Sequence, residues 1–195
     1  MQAAFDAFQV SMQRTRSLHE LHASLSKQFT SVVDLSDLLR SEIVLAVSAF
    51  DFFIHELTRL GMLECHLGKR VKTSAFNRFQ LPMHVATSMS ESSLDVEIRV
   101  RHGYLSFQQP DKVADAIRLF SDVELWNKVG DECRASGKEL KDALSLIVDR
   151  RNKIAHEADL DPSYPAQHWP IDRGLVEYIF DFIDKIVCAI FKIVN

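Results

Sequence analysis

Glycine and proline are scarce in this chain, at six and five of 195 residues. Tight turns depend on them, so their scarcity argues against an all-β design and leaves room for long helices. Cysteine is scarcer still. Cys65, Cys133 and Cys188 are odd in number, far apart and never in a Cys-x-x-Cys pair. Free thiols in a reducing, cytoplasmic setting are the expectation, not a disulfide framework. There is no Gly-rich phosphate loop, no dinucleotide glycine fingerprint, no nucleophile elbow and no cluster at metal-ligand spacing. Enzyme classes that announce themselves locally drop out, and neither a metal nor a cofactor is expected. A run fit for a membrane is missing too. The most apolar stretch, 175–194, carries Glu177, Asp181, Asp184, Lys185 and Lys192, so it is read as a buried helix. Asp6 stands where a signal peptide would need apolar residues.

What is present is ordinary for a globular chain: 47% hydrophobic residues, 26% charged and a formal net charge of −4. That charge does not advertise a nucleic-acid binder, but phosphate binding needs only a local basic patch. Phe5, Phe8, Met12, Leu18, Leu21, Leu25 and Phe29 recur at helical steps, with a gap at 14–17 where a helix over 3–29 could break. His19 and His22 share a face there. With no third ligand near in sequence, a solvated face is expected rather than a metal site. Residues 34–68 carry the widest apolar stripe, with Gly61 or Gly68 as its end. Asp51 and His55, one turn apart in SAFDFFIHEL, are either the polar edge of a core helix or a carboxylate supporting a nearby site.

The stretch 69–83 is irregular. Lys69, Arg70, Lys72 and Arg78 alternate with Phe76 and Phe79. Cations with aromatics suit a single-stranded nucleic acid, though such a loop can also be simply solvated. In 90–107, Leu94, Val96, Ile98 and Val100 alternate as in a strand, while the Asp95/Arg99 and Glu97/Arg101 pairs favour a helix. Pro110 opens a short helix to Phe120, and Ser121-Asp122 is the expected cap of the next, with Leu125, Trp126 and Val129 as its apolar face. Ser136-x-x-Glu139 is a capping box, followed by Leu140, Ala143, Leu144, Ile147 and Val148 in a helix reaching at least Asn152. After a polar connection at 163–169, Pro170 is expected to open the last helix. The expected fold is therefore an all-α bundle with additional short helices. It forms a single domain over 1–195, with 1–30 as an N-terminal helical extension and 35–195 as the core bundle.

Charge, amide and imidazole crowd at Arg150-Arg151-Asn152-Lys153-Ile154-Ala155-His156. Spacing alone carries nothing, since Arg14/His19, Arg16/His22, Arg59/His66 and Arg78/His84 are spaced alike. Context separates Arg151/His156: Asn152 follows the arginine, Ile154-Ala155 precede the histidine, and a strong amphipathic helix leads in. RNKIAHEAD resembles the Arg-x(4–6)-His signature of HEPN domains (higher eukaryotic and prokaryotic nucleotide binding), and most of all the RiboL-PSP-HEPN subgroup. SAFDFFIHEL and Trp169-Pro170-Ile171-Asp172 look similar too, so the resemblance covers about 35–194. Ala158 departs from it. Toxins of the family paired with small nucleotidyltransferases usually carry Tyr at that place, which argues against that subtype.

The resemblance implies a metal-independent endoribonuclease in many members and a non-catalytic RNA- or nucleotide-binding module in others. The residues suit the first. Metal-free RNA cleavage needs a base for the 2′-OH, an acid for the leaving 5′-oxygen and a cation for the phosphorus oxygens. His156 can be acid or base. Arg151 can fork onto phosphate. Asn152 can hold the histidine or a phosphate oxygen. On a continuous helix Asn152 and His156 share a side and Arg151 does not, so Arg151 must reach round or the helix must bend. One histidine cannot be acid and base in one step, which a two-fold dimer solves. The expectation is a homodimer with a basic cleft of Arg150, Arg151, Lys153 and His156 from both chains, with Lys69, Arg70, Lys72 and Arg78 as further RNA contacts and Asp51 as support. Arg150 is expected as a structural or RNA-backbone contact, Glu157 and Asp159 as solvated or salt-bridged, and Trp126 and Trp169 as core or interface. The bland alternatives are a helix-end charge for Arg151, a cap for His156 and a terminator for Asn152. The expected role is a toxin or defence effector cutting single-stranded RNA, with an antitoxin or neighbouring effector protein as a further partner. The rivals are a non-catalytic HEPN dimer and an all-α protein-interaction module.

Overall fold

The widest apolar stripe becomes the axis of the bundle. In this computed structural model, which describes residues 1–29, 33–87, 89–164 and 166–195 and only the backbone of His84, the chain forms α1 (Gln2–Gln28), α2 (Ser36–His66), α3 (Ser74–Asn77), α4 (Met83–Ala86), α5 (Glu91–His102), α6 (Pro110–Arg118), α7 (Leu125–Cys133), α8 (Gly137–His156) and α9 (Arg173–Val194). The described residues hold no strand beyond one isolated antiparallel bridge, Leu160 with His168. α1 lies along α2, α9 packs on α2 and α7, and α8 sits between α2 and α7. Phe8 and Met12 of α1, Ile43, Phe50, Phe53 and Leu57 of α2 and Phe180, Ile183, Ile186 and Ile190 of α9 share one core. A smaller cluster of Met62, Leu63, Leu94 and Ile98 seats α5 on the far end of α2. Among the described residues no helix is long and apolar enough to cross a membrane.

α1 runs unbroken through its apolar gap, because the gap residues find polar partners. Thr15 Oγ1 donates to Ser11 O at 3.0 Å, and Arg16 Nη2 meets Asp184 Oδ2 of α9 at 2.6 Å. His19 and His22 are buried, not solvated. His19 lies between Glu42 Oε2 at 2.7 Å and Glu177 Oε1 at 3.0 Å, and its carbonyl accepts from Arg173 Nη1 at 2.7 Å. This polar seam ties α1 to α2 and α9. Burial pushes the Glu42 carboxyl up, against the opposing pull of His19. No group of three or more His, Cys, Asp or Glu among the described residues is disposed to hold a metal ion.

Other boundaries depart from the sequence reading for local reasons. Gly61 does not end α2, which runs to His66; Gly68 follows with φ +71°. Gly61 is required inside the helix, since a Cβ there would lie 2.3 Å from Phe120 Cγ. Ser121 does not open α7. Phe120 N and Ser121 N both donate to Ile117 O, closing the end of α6, and α7 starts later at Leu125. α9 begins at Arg173 rather than Pro170, because the Asp172 side chain accepts from Leu175 N at 2.8 Å and caps it. In α5 the strand-like alternation is two helical stripes: Leu94 and Ile98 face the core, and Val96 and Val100 face solvent. Asp51 accepts from Phe107 N at 2.7 Å and Gln108 Nε2 at 2.9 Å, with His55 Nε2 at 3.7 Å. It fastens the connection between α5 and α6.

Candidate active site at the end of helix α8

α8 starts at a reciprocal cap: Glu139 N donates to Ser136 Oγ at 3.1 Å and Ser136 N to Glu139 Oε2 at 3.0 Å. The Ser136 backbone N–H, then its hydroxyl, hold the Glu139 carboxyl below its ordinary value. Leu140, Leu144, Ile147 and Val148 are buried. The helix continues past Asn152 and ends at His156, so Asn152 and His156 stand one turn apart on one side. Arg151 follows Leu144, Ile147 and Val148 by seven, four and three residues, which puts its stem on the inward face. The helix runs without a break from Gly137 to His156. The side chain reaches round, and Nη1 donates to Asn152 Oδ1 at 2.8 Å. That contact occupies the amide oxygen and leaves the amide NH2 of Asn152 as a donor. Arg151 Nε is buried without a partner among the described residues. The His156 ring is exposed and makes no hydrogen bond or ion pair among them.

The chain then reverses sharply. Glu157 N and Asp159 N both donate to Lys153 O at 3.0 Å. Ala158 and Asp159 take φ of +51° and +55°, left-handed positions costing on the order of 1–3 kcal/mol each for non-glycine residues. What holds them is Asp159, whose side chain is buried. Its Oδ2 accepts from Arg40 Nε of α2 at 2.6 Å and from Arg150 Nη2 at 2.9 Å, and its carbonyl accepts from Trp169 N at 2.9 Å. Arg40 also donates to Ser36 Oγ, to Asp37 Oδ1 at 3.2 Å and to Trp169 O at 3.1 Å. Arg150 also donates to Trp169 O at 3.3 Å and Pro170 O at 3.2 Å. Burial, helped by Arg40, pulls the Arg150 guanidinium below its ordinary value against the pull of Asp159. Lys153 Nζ lies 5.4 Å from the centre of the half-buried Trp169 ring and 3.0 Å from Asp149 Oδ2.

Of the residues singled out in the sequence, the structure gathers Arg150, Arg151, Asn152, Lys153 and His156 at one helix end. Arg150 turns its guanidinium onto Asp159 and the Trp169 and Pro170 carbonyls. Lys69, Arg70, Lys72 and Arg78 are elsewhere. α2 is 31 residues long, about 46 Å at 1.5 Å per residue. Arg40 of its first turns is bonded at the α8 end, while Lys69 follows its last turn. Arg70 is engaged by Glu64 Oε2 at 3.1 Å, by Val194 O at 2.8 Å and by the Phe120 ring. Lys72 lies over the Phe76 ring at 6.0 Å. Asp51 is eleven residues from Arg40 along α2, about 16 Å of helix axis. It serves the connection between α5 and α6 instead of this site.

Asp159 is salt-bridged, one of the two states expected for it, but Arg40 as its partner is not foreseen in the sequence. A basic residue between Leu38-Leu39 and Ile43-Val44 was the available signal for Arg40. Its acid lies 119 residues away and has no local mark. Of the three arginines at this helix end, Arg151 alone has no carboxylate partner among the described residues.

No curated protein and no solved structure matches the chain significantly. A family model described as RiboL-PSP-HEPN matches residues 12–195, which takes in most of α1 as well as the bundle around the Arg-x4-His motif. The chain therefore belongs to the RiboL-PSP-HEPN family of the HEPN domain superfamily.

Proposed function

We propose that the protein is a metal-independent endoribonuclease acting on single-stranded RNA, in the role of a toxin or defence effector. One observation carries the reading. The Arg151 guanidinium, which has no carboxylate partner among the described residues, is held to Asn152 one turn from a solvent-exposed histidine. A phosphate anion is the natural occupant of such a place, since Arg151 can fork onto two of its oxygens and the Asn152 amide can donate to a third. His156 then takes the 2′-OH proton. The 2′-oxygen bonds to phosphorus, the bond from phosphorus to the 5′-oxygen breaks, and the products are a 2′,3′-cyclic phosphate and a 5′-hydroxyl. The leaving 5′-oxygen needs a proton that the same histidine cannot yet give. A second copy of the motif across a two-fold dimer supplies it. In this reading Lys153 helps to hold the strand, and Lys69, Lys72 and Arg78 contact RNA backbone only far from the cut. Arg150, Arg70 and Asp51 are framework residues.

The test is cleavage of single-stranded RNA in EDTA by wild type and His156→Ala. The reading expects cutting by the first and a loss of at least about a hundredfold in the second. Equal cutting by both, or none by either, would sink it. A second reading draws on the His156 ring, which makes no hydrogen bond among the described residues. It is that the site binds RNA without cutting it, and it predicts retention of RNA by wild type, weaker retention by Arg151→Ala and intact RNA throughout.

A further inference from the structure

We propose that Asp159 is the positioning residue of this site: a buried carboxylate, clamped between Arg40 of α2 and Arg150 of α8, that fixes the end of α8 and so the placement of Asn152 and His156. The inference rests on the functional reading above. Three separate features converge on Asp159. Its side chain is fully buried, with two guanidinium groups from different helices on one oxygen. Its backbone is bound at both ends, N–H to Lys153 O and carbonyl from Trp169 N. With Ala158 it forms two successive left-handed residues, one residue beyond the helix that ends in His156.

A helix end with an exposed terminal residue ordinarily frays, because its last carbonyls lack partners. Here Lys153 O receives two N–H groups, and the second comes from Asp159. The reversal that brings that N–H back requires the left-handed pair, and the clamp holds the pair in place. A buried ion pair is weak ground for stability, because desolvation offsets much of its attraction. Strained backbone of this kind concentrates where geometry serves function. Arg40 and Arg150 also share the Trp169 carbonyl. The same clamp therefore sets the loop that carries Trp169 beside Lys153, and Asp159 acts on catalysis through other residues rather than by touching the RNA.

Asp159→Asn keeps the shape and removes the charge that both arginines bind. Two readouts separate positioning from simple support of the fold: amide hydrogen exchange of residues 153–159 in the folded protein, and kcat and KM for RNA in EDTA. The expected result is a cooperative melt, faster exchange confined to that turn, and kcat lowered on the order of tenfold to a hundredfold with KM little changed. Unchanged exchange would overturn the clamp. Faster exchange with unchanged kcat, or an effect on KM alone, would overturn the positioning role. If wild type does not cut RNA, the nuclease reading fails by itself, and the exchange arm decides whether Asp159 holds the His156 end. If Asp159→Asn does not fold, Arg40→Lys keeps the charge but loses the rigid fork that spans Asp159 and the Trp169 carbonyl, and the same two readouts apply with the same outcomes.

Discussion

Arg151 spans two environments, an inward-facing stem and a guanidinium brought round to an amide oxygen. Its value in the proposed reaction lies in that planar fork, not in its charge alone. Arg151→Lys retains the charge but loses the planar fork that spans Asn152 and two phosphate oxygens. We expect it to lower kcat by about a hundredfold, the order seen when one donor to a developing oxyanion is lost. RNA retention should fall far less. Cleavage kinetics alongside a binding titration would show it, and equal losses in both would place Arg151 in binding alone. A second residue-scale prediction concerns stability. His102 is packed among the rings of Phe79, Phe107 and His55. Burial, and then His55, pushes its imidazole from the ordinary 6.5 down to about 4. Between those values the unfolded chain binds the proton and the folded one does not, so stability falls as pH drops from 6.5 towards 4. His102→Phe removes that part of the acid dependence. Urea midpoints between pH 4 and pH 7 measure it, and an unchanged slope would contradict the assignment.

Among the helices, α2 is the ruler and α8 the arm. α2 meets the clamp near its first turns, α6 and Phe120 further on and α5 at its far end, so an error in its packing reaches every part of the bundle. Gly61→Ala illustrates this. Alanine gains up to about 1 kcal/mol of helix propensity over glycine, but the added Cβ drives into the Phe120 ring, and overpacking of that kind costs about 1–3 kcal/mol. The net expectation is a loss of about 1–2 kcal/mol, read as a lower urea midpoint with an unchanged slope; a stabilised variant would contradict the packing described.

The same contrast explains what was legible in the sequence. Apolar spacing in α2, α8 and α9 and the Ser136 cap are local signals, and they marked those helices directly. Gly61 looked like a stop because the ring that needs its space arrives from 59 residues away. The break expected in α1 ignored partners on α9, and the solvated reading of His19 ignored carboxylates on α2 and α9. At the site, Arg151, Asn152 and His156 share one helix end and could be read as a group. Arg40 and Asp159 could not, since their meeting depends on how α2 lies against α8.

As a whole molecule, the end of α8 in one chain offers a single exposed histidine, His156, among the described residues, and the proposed chemistry needs a proton removed and a proton delivered. A two-fold pair answers that need, and mixing makes it testable. When wild type is mixed with an equal amount of His156→Ala and allowed to exchange subunits, independent sites leave half the activity per total protein. A site that needs both histidines leaves about a quarter, the share of all-wild-type pairs in a two-fold dimer. A result of one half would contradict the shared site. The most direct test of the central claim, that Arg151, Asn152 and His156 form a metal-independent RNA-cutting centre, is the chemistry of the product ends. Single-stranded RNA cut by the wild-type protein in EDTA should carry 2′,3′-cyclic phosphate and 5′-hydroxyl ends. Products with 5′-phosphate and 3′-hydroxyl ends, or RNA left whole, would contradict it.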